Sequence, residues 1–468
     1  MYKIFTSDRT KRSSVAAHGR RLLPSKAATA LVFGLAAFAG AAQAADWYVR
    51  PNGSSYGAGS GKTWTDAISG FSSIPWSSVA CGDTVWLAGG SYTQGLTVSK
   101  NCTSTSPVNI KRVVASDATQ AAATGWNSTF DSTVNISNAN PGILVPSGSS
   151  IYIDGRVSYG IKVNIVAGGG DGAKVATSGN VDNLRIAHLE VAGPTCGPAG
   201  NCSTAAYGLN FAPSNYTVSN LYVGYVAVHA ISEAFRASNW STAVIEHSNL
   251  YDIANDGVDH EDTMYSYPST NVTMRYNFIH NVPNDGIFFE YGGAVNFRLY
   301  GNVFYNSTYS LLTVKAPGNF GPMYIYNNVF AAPSASNYGW IHANGVVTST
   351  GTEVANNVFI NVSHDFPNAH NNAYNYTTLN GYGWPSGEPG SFTFSGDGGM
   401  TNVAGGDAHL SATSVLRNRG SALTADGLLN VDMDGNTRGA DGSWDIGAFE
   451  FPAAAVTTIV PPTNVSVQ

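Results

Sequence analysis

Asn255-Asp256-Gly257-Val258-Asp259-His260-Glu261-Asp262 gathers four carboxylates and a histidine within seven residues, in a chain whose charged fraction is only 11%. Asn284-Asp285-Gly286-Ile287-Phe288-Phe289-Glu290-Tyr291 repeats the pattern, and Tyr309-Ser310-Leu311-Leu312-Thr313-Val314-Lys315 puts a lysine where the first two carry a glutamate. Carboxylates grouped in this way can hold a hard cation, since calcium takes several carboxylate oxygens. They can also work as general acids or bases when their surroundings move their pKa values apart. A lysine continuing an acidic column can be a base if its pKa is lowered. Asn-Asp-Gly is equally a turn sequence, so Asp256 and Asp285 also read as turn formers.

The elements that must position these residues are short strands. From about residue 130 the chain alternates β-prone runs with Gly, Asn, Ser and Pro, and no sustained helical periodicity appears up to about residue 420. Asparagines recur in matching frames at Asn249, Asn277, Asn302, Asn328 and Asn357, with spacings of 28, 25, 26 and 29 residues. A period of roughly 20–50 residues indicates a solenoid, a propeller or an array. Strand content favours a β-solenoid, in which equivalent residues of successive coils stack.

Aligning coils on the asparagines puts Val258, Ile287 and Leu312 in one inward column, with His260, Phe289 and Val314 in another. Strand alternation then sends Asp259, Phe288 and Thr313 outward, followed by Glu261, Glu290 and Lys315. His342 would continue that last column, and Arg236 would stand beside Asp259 or Glu261. Phe288, Tyr291 and Trp340 are candidates for stacking on sugar rings. Close like charges at Glu261 and Glu290 need compensation. That compensation could come from a cation held by Asp256, Asp259, Glu261 and Glu290, from Lys315 or Arg236, or from a carboxyl that stays protonated.

The bulk numbers narrow the partners. Residues 1–45 combine a basic segment, an apolar Ala-rich run and Ala42-Gln43-Ala44, which reads as a cleaved signal peptide and implies a secreted or periplasmic protein. Without them, 16 basic residues face 29 acidic ones, a net charge of −13. Nucleic acid is therefore an unsuitable partner, and no later stretch is apolar and long enough to span a membrane. The four cysteines favour disulfides, with proximity suggesting Cys81–Cys102 and Cys196–Cys202. The remaining organisation is an N-terminal cap and first coils over 46–130, the solenoid over 131–420, a closing segment over 421–452, and a linker or disordered tail over 453–468. A short helix is expected over Thr65-Asp66-Ala67-Ile68-Ser69-Gly70. The chain is expected to be a monomer.

These features resemble the right-handed parallel β-helix of pectate lyases and their relatives. Asn255-Asp256-Gly257-Val258-Asp259 resembles the calcium-binding Asp-Asp-Gly-x-Asp of family 9 pectate lyases, with Asp256 and Asp259 matching and Asn255 in place of the first aspartate. The family's lysine base would fall one coil later, shortly after Gly286, where this chain has Phe288; Lys315 would substitute, with His342 and Arg236 in reserve. Gly257-Val258-Asp259-His260-Glu261-Asp262 also resembles, without its proline, the Asp-Pro-His motif of mannuronan C5-epimerases. Residues 435–451 resemble the closing segment of exported β-helix proteins. The resemblance implies a secreted lyase that binds calcium and cleaves an acidic, uronate-containing polysaccharide by β-elimination. A glycoside hydrolase using two of Asp259, Glu261 and Glu290, a C5-epimerase and a non-catalytic glycan-binding adhesin are the alternatives.

Overall fold

A computed structural model describes residues 44–451, apart from 138, 166–169, 195–205, 255–260, 292–293, 316–317, 319, 335–339, 348–349, 377, 380–381 and 424–426. Three parallel sheets, of 14, 12 and 10 strands, run the length of these residues. We call them sheets 1, 2 and 3. Each coil contributes one strand to each sheet in turn, so every strand hydrogen-bonds to its counterparts in the coils before and after. The architecture is a right-handed parallel β-helix.

Alternation along each strand sends one residue in two to the core. On sheet 1, Ile186, Val223, Ile245, Met274, Leu299, Ile325 and Val354 stack in register, all buried. On sheet 2, Phe304, Phe330, Phe359 and Tyr374 stack with ring centroids 5.0–5.5 Å apart. On sheet 3 the inward column is Leu209, Phe235, Met264, Ile287, Leu312 and Ile341. Phe288–Thr313 pairing puts Leu312 next to Ile287. Burying each such side chain contributes about 1.5–3 kcal/mol.

The turn between sheets 1 and 2 is fixed by two adjacent columns. Tyr276, Gly301, Asn327 and Asn356 occupy the left-handed region, φ 52–60°, where Gly and Asn are tolerated best. The next residue of each coil is the buried ladder Ser248, Asn277, Asn302, Asn328, Asn357 and Asn372. Asn328 Oδ1 accepts from the backbone N and Nδ2 of Asn302 at 2.9 and 3.0 Å, and Asn357 Oδ1 does the same for Asn328. The expected stacking of asparagines is thus observed, one residue displaced in the first coil: Ser248, not Asn249, heads the ladder.

Two local expectations are corrected. The segment expected as a helix at 65–70 holds a strand, Ile68–Ser69, paired to Arg50 and its neighbour. The short α-helix lies instead at Ala118–Ala121. Cys81 and Cys102 form a disulfide; Cys196 and Cys202 lie outside the described residues.

Residues 400–451 return along the outer side of sheet 2, where Leu416, Ile446 and Ala448 cluster with Val303, Val329 and Val358. Asn327 Nδ2 donates to the Asp445 carbonyl at 2.9 Å, and buried Arg438 pairs with Glu450 at 3.0 Å. This segment covers sheet 2 and contributes no strand to sheet 3.

Candidate active site on sheet 3

The sequence candidates among the described residues fall on or beside sheet 3, in a register different from that expected. Tyr251 pairs with His280, a spacing of 29, whereas Met264 pairs with Ile287, a spacing of 23. The loop between strands Asn249–Tyr251 and Met264–Ser266 therefore carries six residues that the next coil lacks. Aligning on asparagines passes over that insertion and shifts the first coil by six. Met264, not Val258, precedes Ile287 in the core, and Tyr265, not Asp259, precedes Phe288. Asp256, Val258, Asp259 and His260 lie outside the described residues. Glu261 is half-buried just before the strand, with φ 50°.

Three side-chain columns cross the outer part of the sheet. The first is Lys174, Asn210, Arg236, Tyr265, Phe288, Thr313 and His342. The second follows two residues later and contains Tyr267, Glu290 and Lys315, as the Ser266–Phe289–Val314 pairing requires. The third lies three residues before the first: Asp171, Tyr207, Glu233, Asp262, Asp285 and Ser310. Glu290 and Lys315 are thus neighbours, as expected. Glu261 is not beside Glu290, and His342 and Arg236 belong to the first column, beside Thr313 and Tyr265.

Lys315 Nζ lies 2.7 Å from Glu290 Oε1, and the Tyr265 hydroxyl donates to Glu290 Oε2. Glu290 is buried, while the Lys315 side chain is 52% exposed. The hydrogen bond to Glu290 raises the Lys315 pKa against a small opposing effect of burial. The lowering expected for a lysine base is therefore not met in this arrangement, and Lys315 is an ammonium. Burial, then the bond to Glu290, raises the Tyr265 phenol. Both Glu290 oxygens are thus engaged, by Lys315 and by Tyr265.

Arg236 Nε is 2.9 Å from Glu233, and its guanidinium lies over the Tyr207 ring at 4.4 Å. His342 Nδ1 is 3.7 Å from Asp365 Oδ2, and its side chain is 28% exposed. Phe288, expected at the surface, is buried by a stack with Tyr265 at 5.5 Å. Tyr291 is 57% exposed and lies parallel to Tyr267 at 6.1 Å. Trp340 opens strand Trp340–His342, and its side chain lies outside the described residues.

Residues given no catalytic or ligand role from the sequence complete the site. Tyr265 and Tyr267 sit in the coil that was misaligned. Glu233, Asp262 and Asp285 belong to the third column, and each is 0–2% exposed. Gly286 keeps Asp285 in register, because a Cβ there would come within 2.5 Å of the Leu311 carbonyl oxygen. Asp285 is thus a strand-edge residue and not only a turn former. The spacing acid-x-x-base, present at Asp171/Lys174 and Glu233/Arg236, was the available signal.

The fold is shared with a solved pectate lyase, Pel9A, at a TM-score of 0.58 and 15% identity over 88% of this chain and 98% of that one. A rhamnogalacturonan lyase (TM-score 0.37, 12% identity, 67% of this chain and 87% of that one) and a complex of XylC with xylose (0.38, 10%, 70% and 75%) are more distant and carry no argument. No protein-family model matches the chain, and no curated protein does. The chain is a right-handed parallel β-helix with the fold of pectate lyase-like proteins. No helix among the described residues is long and apolar enough to cross a membrane.

Proposed function

We propose that this protein is an exported polysaccharide lyase that cleaves a uronate-containing glycan by β-elimination on the outer face of sheet 3. The observation that carries the reading is the Lys315–Glu290–Tyr265 network, a half-exposed ammonium held against a buried carboxylate. It is supported by exposed Tyr291 alongside and by a fold shared with a pectate lyase.

β-Elimination removes the proton at C5 of a uronate and expels the glycosidic oxygen at C4. Two demands follow: the charge of the adjacent carboxylate must be offset, and a base must reach the proton. Lys315 is the base in this reading. It stands in the second column with Tyr267 and lies 5.6 Å from the Phe288 ring centroid, and it acts once its ammonium has passed a proton to solvent. Arg236, fixed by Glu233 and two tyrosine rings, is a cation suited to a second uronate carboxylate along the axis. Tyr291 offers a face on which a sugar ring can stack.

The test is incubation with a panel of uronans, following ultraviolet-absorbing unsaturated ends. Their appearance with wild-type protein and loss in Lys315→Ala supports the reading. Shortened chains with saturated ends would replace it with hydrolysis, for which His342 of the first column with Asp365 is a partly exposed acid–base couple.

A further inference from the structure

We propose that the sugar unit cleaved at Lys315 carries its uronate group as a neutral ester, so that the substrate is an esterified uronan. The inference rests on the lyase reading above and adds which form of the glycan the site takes. It starts from charge. After Arg236 the chain has six basic residues. Arg275 and Arg298 lie on strands of sheet 1, and Arg417, Arg419 and Arg438 belong to the segment over sheet 2. Lys315 is therefore the one lysine or arginine beside Tyr265, Phe288 and Thr313 on sheet 3. The acids there are Glu290, 2.7 Å from Lys315, and buried Asp262 and Asp285 of the third column.

One lysine cannot meet both demands of β-elimination. It takes the C5 proton as a free amine, and a free amine offsets no charge. At that moment Glu290 keeps the Tyr265 hydroxyl but has lost its ammonium. Arg236 stands three strands before Thr313, about 14 Å at ~4.8 Å per strand. That exceeds the screening length of roughly 8–10 Å at ordinary salt, and Arg236 is already 2.9 Å from Glu233. His342, one strand beyond Thr313, lies 3.7 Å from Asp365. A free carboxylate on the reacting unit would thus face the Glu290 anion, a juxtaposition that disfavours binding. An ester removes the conflict, since its carbonyl is neutral and acidifies the C5 proton more than a carboxylate does. The C5–H bond breaks with its proton going to Lys315 Nζ, and the electron pair forms the C4–C5 double bond. The C4–O bond breaks with its pair leaving on the glycosidic oxygen, which takes a proton from water; the ester is unchanged. Exposed Tyr291, parallel to Tyr267, offers the alkyl group an apolar surface. A free carboxylate farther along a partly esterified chain can still meet Arg236.

The experiment gives the full chain homogalacturonan and alginate, each as its methyl ester and as the free acid, with calcium and with chelator. Unsaturated ends are followed and corrected for the uncatalysed rate. One ester is expected to be cleaved at least ~10-fold faster than its free acid. The gap should narrow as added salt screens the repulsion, and narrow at low salt in Glu290→Gln. A free acid cleaved as fast as its ester or faster, with calcium or with chelator, overturns the proposal and leaves the lyase reading standing. So does a gap unmoved by both salt and Glu290→Gln, which would reflect the ester's own reactivity and not the site. Absence of unsaturated ends on all four substrates overturns both readings.

Discussion

Glu290 receives Lys315 Nζ at 2.7 Å on one carboxylate oxygen and the Tyr265 hydroxyl on the other, so a single buried acid joins two successive coils to the strand before it. The carboxylate can do so because it lies just past the end of strand Ile287–Phe289, where Phe289 and Val314 still pair. Its consequence is that Lys315 is held on the outer face and kept charged.

Lys315→Ala is expected to lower uronan cleavage by about 10²–10⁴-fold, the range for loss of a general base. Lys315→Arg should not restore it, since a guanidinium keeps its proton. Thermal unfolding of Lys315→Arg should stay close to wild type, whereas Lys315→Ala leaves the buried Glu290 carboxylate without its cation and should lower the melting temperature. Initial rates of unsaturated-end formation together with melting curves check this.

Glu290 raises the Lys315 pKa, so the fraction of free amine grows only as pH climbs into the alkaline range. The cleavage rate should rise with pH over roughly pH 7 to 10. Glu290→Gln removes the stabilised ammonium and should move that rise to lower pH. A profile that is flat over this range, or one unmoved in Glu290→Gln, would argue against Lys315 as the base.

Asn328→Ala removes a fully buried side chain that serves the coils on both sides. It leaves the Asn302 backbone N, the Leu299 carbonyl and Asn357 Oδ1 each short of a partner. Each buried group left unsatisfied costs about 1–3 kcal/mol. The expected result is a loss of at least ~2 kcal/mol in denaturant unfolding, with Asn249→Ala, outside the ladder, much milder.

His409 lies between Asp407 and Asp434, 2.5 Å from each, and the pairing, led by Asp434, raises its pKa to about 9. A histidine raised in the folded state stabilises fully below its unfolded pKa, about 6.5, and loses that contribution as pH rises through the folded value. Melting temperature should therefore fall between roughly pH 6.5 and 9.5, and His409→Gln should flatten that part of the curve. The contribution is on the order of 1–3 kcal/mol. Melting curves of the two proteins across this range decide it.

Much of the architecture was legible along the chain. Short strands, turn residues and a 25–29-residue asparagine period point to a stacked coil, because a buried amide recurring at that period can be satisfied by the same amide one coil away. The neighbourhood of Glu290 and Lys315 was legible for the same reason, as the coils between them have equal lengths in all three sheets. The inserted loop before Met264 was not: its six extra residues leave the asparagine period almost unchanged while making Met264, not Val258, the partner of Ile287. Chain chemistry alone determined that carboxylates and a lysine would share one face of a β-solenoid. Only the tertiary structure decided which of them meet, because a coil's side-chain neighbours are set by hydrogen-bond register between strands, and loop length between sheets is free to vary without disturbing the core.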